Sequence, residues 1–442
     1  MNFAELNKHD IYPVSVPGHS ETVLMVYAPL TGDVFFSKRS AVEQQELELK
    51  RNGLASLESF MSMIIGSDAA RKPELVNAPL RLQQLDLILN YKCNFSCSYC
   101  FSAQGRACVE ISDPALRHVL QQIGGRESEY DIDKVVFTGG GEPLLSFPLL
   151  KDAVNTIRHW EKNSDAGISV VTNGSLLTDE ILDFFRSNAI ELVVSFEILR
   201  DLQETQRGHY DLCMRNISRA IELELVPGIR VTITPTSVGR MSEMLDELHR
   251  TFPRIKSLAM ETVVAPELFA SSDELRDFYQ KFIRQFSECR KHAAAFGLTP
   301  YCTSFMALDS LKTRMCPGKL CLTPEGNITN CSRVSSNREE LSGQYFYGTF
   351  SENGIAVDEA KFLKHTECHA LKSFPECRNC WARWNCGGGC ARIRDTFPDE
   401  YFAAYCNFVR GCIMQEILDR YDAACREHCG TLDDHLHDLE NE

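Results

Sequence analysis

Short apolar runs alternate with longer amphipathic stretches through the middle of the chain. The runs Leu85 to Leu89, Lys134 to Thr138, Ile168 to Thr172, Glu191 to Phe196, Ile229 to Thr234 and Lys256 to Glu261 have the length and residue types of strands. Helical spacing of apolar residues fills the gaps, as at Phe147 to Glu161, Asp179 to Arg186, Tyr210 to Glu224 and Met241 to Phe252. Strand followed by helix, six times over, predicts an α/β fold with a parallel sheet curled into a partial (β/α)6 TIM-like barrel over residues 81–300. Before it, Val23 to Tyr27 and Val34 to Phe36 flank Leu30-Thr31-Gly32-Asp33, a hairpin signal, and a helix from about Ala41 to Met63 follows. Residues 1–80 therefore predict a small N-terminal α/β appendage. After the barrel come a helical link, Ser272 to Phe296, and a hairpin of Leu320 to Thr323 with Asn327 to Cys331 around Pro324-Glu325-Gly326. The acidic stretch Leu432 to Glu442, ending the segment 421–442, predicts a solvated or disordered tail.

Sites in parallel barrels collect at the carboxyl ends of the strands, and the unusual residues of this chain stand there. Cys93 follows the first predicted strand, Gly139 to Glu142 the second and Asn173 the third; Ser195 and Glu197 end the fourth, Thr234 and Thr236 the fifth, and Glu261, read as a surface carboxylate, the sixth. Cys93-x3-Cys97-x2-Cys100 offers three thiolates. A [4Fe-4S] cluster takes four ligands, so three leave one iron open to a small molecule. A zinc site would pair Cys-x2-4-Cys with a second Cys or His pair. The glycines at Gly139 to Gly141 let backbone approach a ligand closely.

The triplet, Gly140-Gly141-Glu142-Pro143 and Thr172-Asn173-Gly174 together resemble the radical S-adenosylmethionine (SAM) enzyme superfamily. That resemblance implies that Cys93, Cys97 and Cys100 hold a cluster whose open iron binds SAM. It also implies that Tyr99 packs by the adenine and that Gly140, Gly141 and Glu142 meet the methionine amino group. Asn173, Ser195, Glu197 and Arg207 then complete the cofactor site. Reductive cleavage of SAM gives a 5′-deoxyadenosyl radical, chemistry that belongs to the cofactor. Relatives often read Ser-x-Asp/Glu-Gly at the fourth strand end, whereas this chain has Ser195-Phe196-Glu197-Ile198; Gln203, Arg207 and Gly208 fall where the resemblance expects them.

A second cysteine array, Cys316-x9-Gly326-x4-Cys331, then Cys377-x2-Cys380-x5-Cys386-x3-Cys390, then Cys406, is similar in spacing to the SPASM extension of peptide-modifying radical SAM enzymes. The resemblance places it in residues 301–420 and implies two auxiliary [4Fe-4S] clusters, three in all. Cys377, Cys380, Cys386 and Cys406 would hold one, and Cys316, Cys331 and Cys390 the other. For the eighth position Cys321 is the preferred candidate, brought near Cys331 by the hairpin, with Cys302 or an open site as alternatives; strand register decides whether the Cys321 thiol faces the right way. Paired zinc ribbons are the rival reading of the array. Cys108, Cys213, Cys289, Cys368, Cys412, Cys425 and Cys429 read as structural or incidental.

Composition narrows the field. With 442 residues, 44% apolar and 24% charged, the chain is ordinary globular material for two or three domains. A net charge of -15 argues against a nucleic-acid partner. The start lacks the basic and apolar regions of a signal peptide, and no apolar run is long enough for a membrane, so a cytoplasmic protein is expected. In that reducing compartment 19 cysteines point to cluster ligation rather than disulfides. The resulting expectation is a maturase acting on a ribosomally made peptide or protein, most simply to form a cross-link, with flavodoxin or ferredoxin as electron donor. The appendage would then dock a leader peptide or serve as a lid. Formylglycine formation of the anaerobic sulfatase-maturase type is the first alternative, although relatives of that type have an aspartate where this chain has Ser332. A non-catalytic iron-sulfur electron carrier or redox sensor is the alternative of another class.

Overall fold

The computed structural model describes residues 3–54, 64, 72, 74–76, 82–316, 318–428 and 430–441. Near the N-terminus, β1 (Tyr12–Ser15), β2 (Val23–Ala28) and β3 (Asp33–Lys38) form an antiparallel sheet in that order. The expected hairpin is β2 and β3, which pair from Val23 with Lys38 to Ala28 with Asp33. A helix over Arg39–Asn52 follows and ends at Gly53, whose φ of 69° suits a residue without Cβ. The rest of the helix expected to reach Met63 lies outside the described residues, as does Cys429.

The barrel strands are β4 (Gln84–Leu87), β5 (Lys134–Phe137), β6 (Gly167–Thr172), β7 (Ile190–Ser195), β8 (Gly228–Ile233) and β9 (Ser257–Thr262), each parallel to the next. Helices at Asp113–Gly124, Phe147–Arg158, Asp179–Ser187, Tyr210–Glu222 and Met241–Thr251 cover the outside. The pleat sorts each strand by period two. On β4, Leu85 and Leu87 join the core beneath the helices, while Gln84 and Asp86 face the interior cavity. The curled sheet thus has an apolar outside and a polar inside.

A seventh parallel strand, β10 (Thr299–Tyr301), extends the sheet beyond β9 and crosses the expected boundary at residue 300. At the other edge β11 (Leu320–Leu322) pairs parallel with β4, and β12 (Asn327–Thr329), β13 (Phe346–Ser351) and β14 (Gly354–Val357) continue antiparallel. Among the described residues this makes one sheet of eleven strands, so the cysteine-rich extension grows out of the barrel sheet.

A helix over Asp399–His428 packs along Ser272–Ala293 through aromatic pairs such as Tyr279 and Phe408, 4.3 Å between centroids, and runs unbroken through the expected boundary at residue 421. The tail forms a helix whose acidic face is solvated. Leu432–Asn441 is a helix whose Leu432 and Leu436 are buried, and it packs on β2 and β3. Its one-turn spacing of leucines makes an apolar stripe that the acidic composition conceals. No helix among the described residues is long and apolar enough to cross a membrane.

Candidate active site

The loop carrying Cys93, Cys97 and Cys100 follows β4 and is held by the two neighbouring strand ends. The Glu142 N–H donates to the Lys92 carbonyl at 2.7 Å and the Gly141 N–H to the Asn90 carbonyl at 2.9 Å. A Cβ on Gly141 would stand 1.8 Å from the Lys92 oxygen. These glycines are therefore required first by the cysteine loop they lie against. Glu142 is buried and its carboxylate is already used: Thr172 Oγ1 donates to it at 2.6 Å, the Asn173 N–H at 2.8 Å and the Leu144 N–H at 3.1 Å. Burial still raises its pKa against these bonds. Asn173 Nδ2 donates to Asn94 Oδ1 at 2.9 Å, which closes the rim between the third strand end and the cysteine loop.

All three cysteines line a cavity of about 560 Å³ together with Tyr99, Gly140, Gly141, Asn173, Ser195 and Arg207. Burial raises the Cys93 and Cys97 thiols. Arg106 Nη2 donates to Cys100 Sγ at 3.4 Å while its Nη1 holds the Phe95 carbonyl at 2.8 Å, so a cation stands where thiolates would form. Lys319, Ser332 and Arg333, from the extension, line the same cavity. Glu261 does too, contrary to its reading as a surface carboxylate. Its Oε1 accepts from the Thr303 N–H at 2.9 Å and Thr303 Oγ1 at 2.6 Å.

The cysteines of the extension fall into two neighbourhoods. Burial, then Cys406, Cys380 and Cys377, push Cys386 up to about 12, and burial pushes Cys377 up to about 11 with Arg394 opposing and Cys380 adding. Separately, burial, then Cys390 and Cys331, push Cys316 up to about 12, and burial with Cys390 raises Cys331. Arg394 and Arg410 donate to Cys377 Sγ and Cys380 Sγ at 3.9 and 3.8 Å. Crowded thiols whose charges repel suit a polycationic group that stabilises every thiolate at once. Among the described residues no three His, Cys, Asp or Glu side chains are placed to share a single metal ion; the thiolates around a cubane each take a different iron and need no common point.

Cys321 stands apart from both sets. Strand β11 pairs it with Asp86 and Thr329, and its side chain packs with Ile88 and Tyr91, whereas Cys331 packs with Val334, Tyr345 and Phe346. Burial first, then Asp86, and Cys331 last, raise its thiol far above the ordinary value. The register sets the preferred eighth ligand beside Ile88 and Tyr91 and in line with Asp86. Cys302, the other candidate, is buried and donates to Glu261 Oε2 at 3.7 Å, beside the barrel cavity.

Residues 87–251 match the radical SAM superfamily. This is a radical SAM domain. Over 160 residues it is 23% identical to the radical SAM cyclopropyl synthase TigE of Paramaledivibacter caminithermalis, a match covering 33% of this chain and 32% of TigE, about a third of that relative's length. The solved structure of native anSMEcpe with bound AdoMet superposes with a TM-score of 0.59 at 17% identity, over 76% of this chain and 98% of that one. Streptococcus suis SuiB bound to precursor peptide SuiA superposes with a TM-score of 0.51 at 12% identity, over 88% and 98%. At such identities the likeness is one of fold, and it takes in the cysteine-rich extension.

In the radical SAM domain the fourth strand end departs from expectation. Ile198, where relatives have glycine, keeps a left-handed backbone with φ 64°. Glu197 is turned inward and fully buried: Tyr99 donates its hydroxyl to Oε1, Arg207 stands 3.9 Å away, and the Thr232 N–H donates to Oε2 at 3.2 Å. Its carboxylate supports Tyr99 and Arg207, and is not offered to a ligand as the resemblance implied. Ser195 and Arg207 do reach the cavity, and Arg207 Nη1 donates to the Tyr99 hydroxyl at 3.0 Å. Arg106, Asp86, Lys319 and Arg230 were missed from sequence. The available signals were the polar alternation Gln84-Leu85-Asp86-Leu87 and an arginine six positions after Cys100.

Proposed function

We propose that this protein is a radical SAM/SPASM maturase that oxidises a ribosomally made peptide or protein, with cross-link formation as the outcome. The observation that carries the reading is one cavity lined both by Cys93, Cys97 and Cys100 and by Lys319, Ser332 and Arg333 of the extension. A substrate there sits between the radical source and the auxiliary cysteines. In this reading the triplet holds the SAM-binding cluster, with Tyr99, Gly140, Gly141, Ser195 and Arg207 beside the cofactor. Cys377, Cys380, Cys386 and Cys406 hold one auxiliary cluster, and Cys316, Cys331 and Cys390 ligate a second. When bound, cluster and SAM supply a 5′-deoxyadenosyl radical able to take a hydrogen atom from carbon. The chain's own part is to seat the substrate in the barrel, keep water out, and carry away the second electron and a proton. An external flavodoxin or ferredoxin supplies the reducing electron. SuiB, solved with a precursor peptide, supports a peptide substrate. Ser332 supports cross-linking over formylglycine formation, because a serine hydroxyl is a poor base unless a neighbour activates it, and among the described residues no hydrogen bond to the Ser332 hydroxyl is seen.

The test is anaerobic reconstitution and reduction with dithionite, followed by measurement of 5′-deoxyadenosine. Co-expression with a short peptide encoded beside the gene should give a product lighter by two hydrogens, lost when Cys93, Cys97 and Cys100 are replaced by alanine. An aldehyde product would restore the sulfatase-maturase reading, and protein that never cleaves SAM would be an electron carrier or sensor.

A further inference from the structure

Of the six cations lining the barrel cavity, three are already engaged. Arg106 serves Cys100 and the Phe95 carbonyl, Arg207 serves Tyr99 and Glu197, and Lys319 pairs with Asp86 at 3.4 Å. Two half-buried ones are not. Arg230, inward on β8, and Arg333, two residues past Cys331, both line the cavity, and among the described residues neither guanidinium has a hydrogen bond or an ion pair. Arg333 lies over the Phe101 ring, 5.3 Å from its centroid. The carboxylate acting most strongly on Arg230 is Glu261, whose Oε1 is occupied by Thr303 and whose Oε2 faces the Cys302 thiol.

We propose that Arg230 and Arg333 together bind a carboxylate of the substrate, an acidic side chain of the peptide, inside the barrel. A half-buried guanidinium without a partner is costly, and a second cation within reach makes it more so; burial lowers the Arg230 pKa, and Arg333 adds to the fall while Glu261 opposes it. An anion between the two removes both penalties, and a carboxylate matches the fork of a guanidinium with two parallel bonds. Asp86, Glu191 and Glu261 on the same walls would repel a multiply charged phosphate far more than a single carboxylate. The inference rests on the cavity being the substrate site, and it adds to that reading an acidic residue near the carbon attacked.

The test does not require turnover. Anaerobic holoprotein is treated with phenylglyoxal, and adducts at Arg230 and Arg333 are quantified by mass spectrometry with N-acetylglutamate amide or its glutamine counterpart as probes. The glutamate probe should cut labelling of both arginines about ten-fold at about ten times its Kd; the glutamine probe should not. Protection of Arg333 should vanish in Arg230→Gln and weaken in Arg230→Lys, which keeps the charge and tests the fork if the glutamine variant does not fold. The proposal is overturned if neither probe protects, if SAM alone protects both arginines, which would assign them to the cofactor's carboxylate, or if inorganic triphosphate protects better than the glutamate probe. Failure to form 5′-deoxyadenosine would strike the maturase reading and leave the protection result standing.

Discussion

Ile198 holds a conformation that a β-branched side chain rarely takes, at a cost on the order of 1–2 kcal/mol. Its burial to 2% exposure compensates, and the turn it makes drives Glu197 inside. Burial pushes Glu197 up to about 7, against the pull of Arg207, the Tyr99 hydroxyl and the Thr232 N–H. A native pKa raised from the ordinary 4.5 means that the folded chain keeps this proton where the unfolded chain has lost it. The contribution is therefore complete below pH 4.5 and lost as pH rises through about 7, with a span on the order of 3 kcal/mol. Glu197→Gln, whose amide oxygen still accepts from Tyr99, should flatten that slope. Urea unfolding of iron-free protein from pH 5 to 8 reads this directly, and parallel curves for variant and parent would mean that Glu197 is ionised throughout. The sequence marked Ser195-Phe196-Glu197-Ile198 as a departure. It could not show the direction of the side chain, because that depends on a backbone angle at Ile198 which no composition rule assigns.

The six barrel strands and their helices were legible because period-two and helical spacing are imposed locally and both depend on burial of one face. The inward faces were harder to read. Gln84, Asp86, Arg230 and Glu261 interrupt apolar runs without ending them, so they look like surface residues until the sheet curls. The hairpin of β11 and β12 was also legible, down to its Pro324-Glu325-Gly326 turn, but an expected ligand depends on the register of β11 against β4, a contact more than two hundred residues away in the chain. Cys321 consequently shares its setting with Ile88 and Tyr91. Cys321→Ala should keep the full iron content of reconstituted protein and cost about 1 kcal/mol as a small core truncation. Cys331→Ala should lose iron. Equal iron losses in the two variants would return Cys321 to the ligand set.

The appendage and the extension meet at one buried carboxylate. Asp10, 1% exposed and with φ 57°, accepts from Trp384 Nε1 at 2.7 Å, Lys72 Nζ at 2.6 Å, the Tyr12 hydroxyl at 2.9 Å and Arg383 Nη2. Arg383 Nη1 continues to the Arg378 carbonyl, and the Tyr27 hydroxyl donates to Asn385 Oδ1 at 2.9 Å. The segment from Cys377 to Cys386 is thereby backed by strands from the start of the chain. Burial pushes the Asp10 carboxyl up, but Lys72, Trp384 and Arg383 outweigh it and hold the group below the usual carboxylate range. Asp10→Asn removes the charge and leaves Arg383 half-buried and uncompensated, a change that costs about 3–5 kcal/mol when a buried pair is broken. The loosened loop should give up its iron first. A ferrous chelator acting on Asp10→Asn should strip the iron held by Cys377, Cys380, Cys386 and Cys406 about ten-fold faster or more, the scale on which supporting residues affect metal sites. Iron at Cys93, Cys97 and Cys100 should leave at the parent rate, because no bond of Asp10 reaches that loop. Cys386→Ala supplies the reference for a chain lacking that cluster. If all iron leaves Asp10→Asn together, the appendage is only a part of the global fold and not a specific support for one set of cysteines.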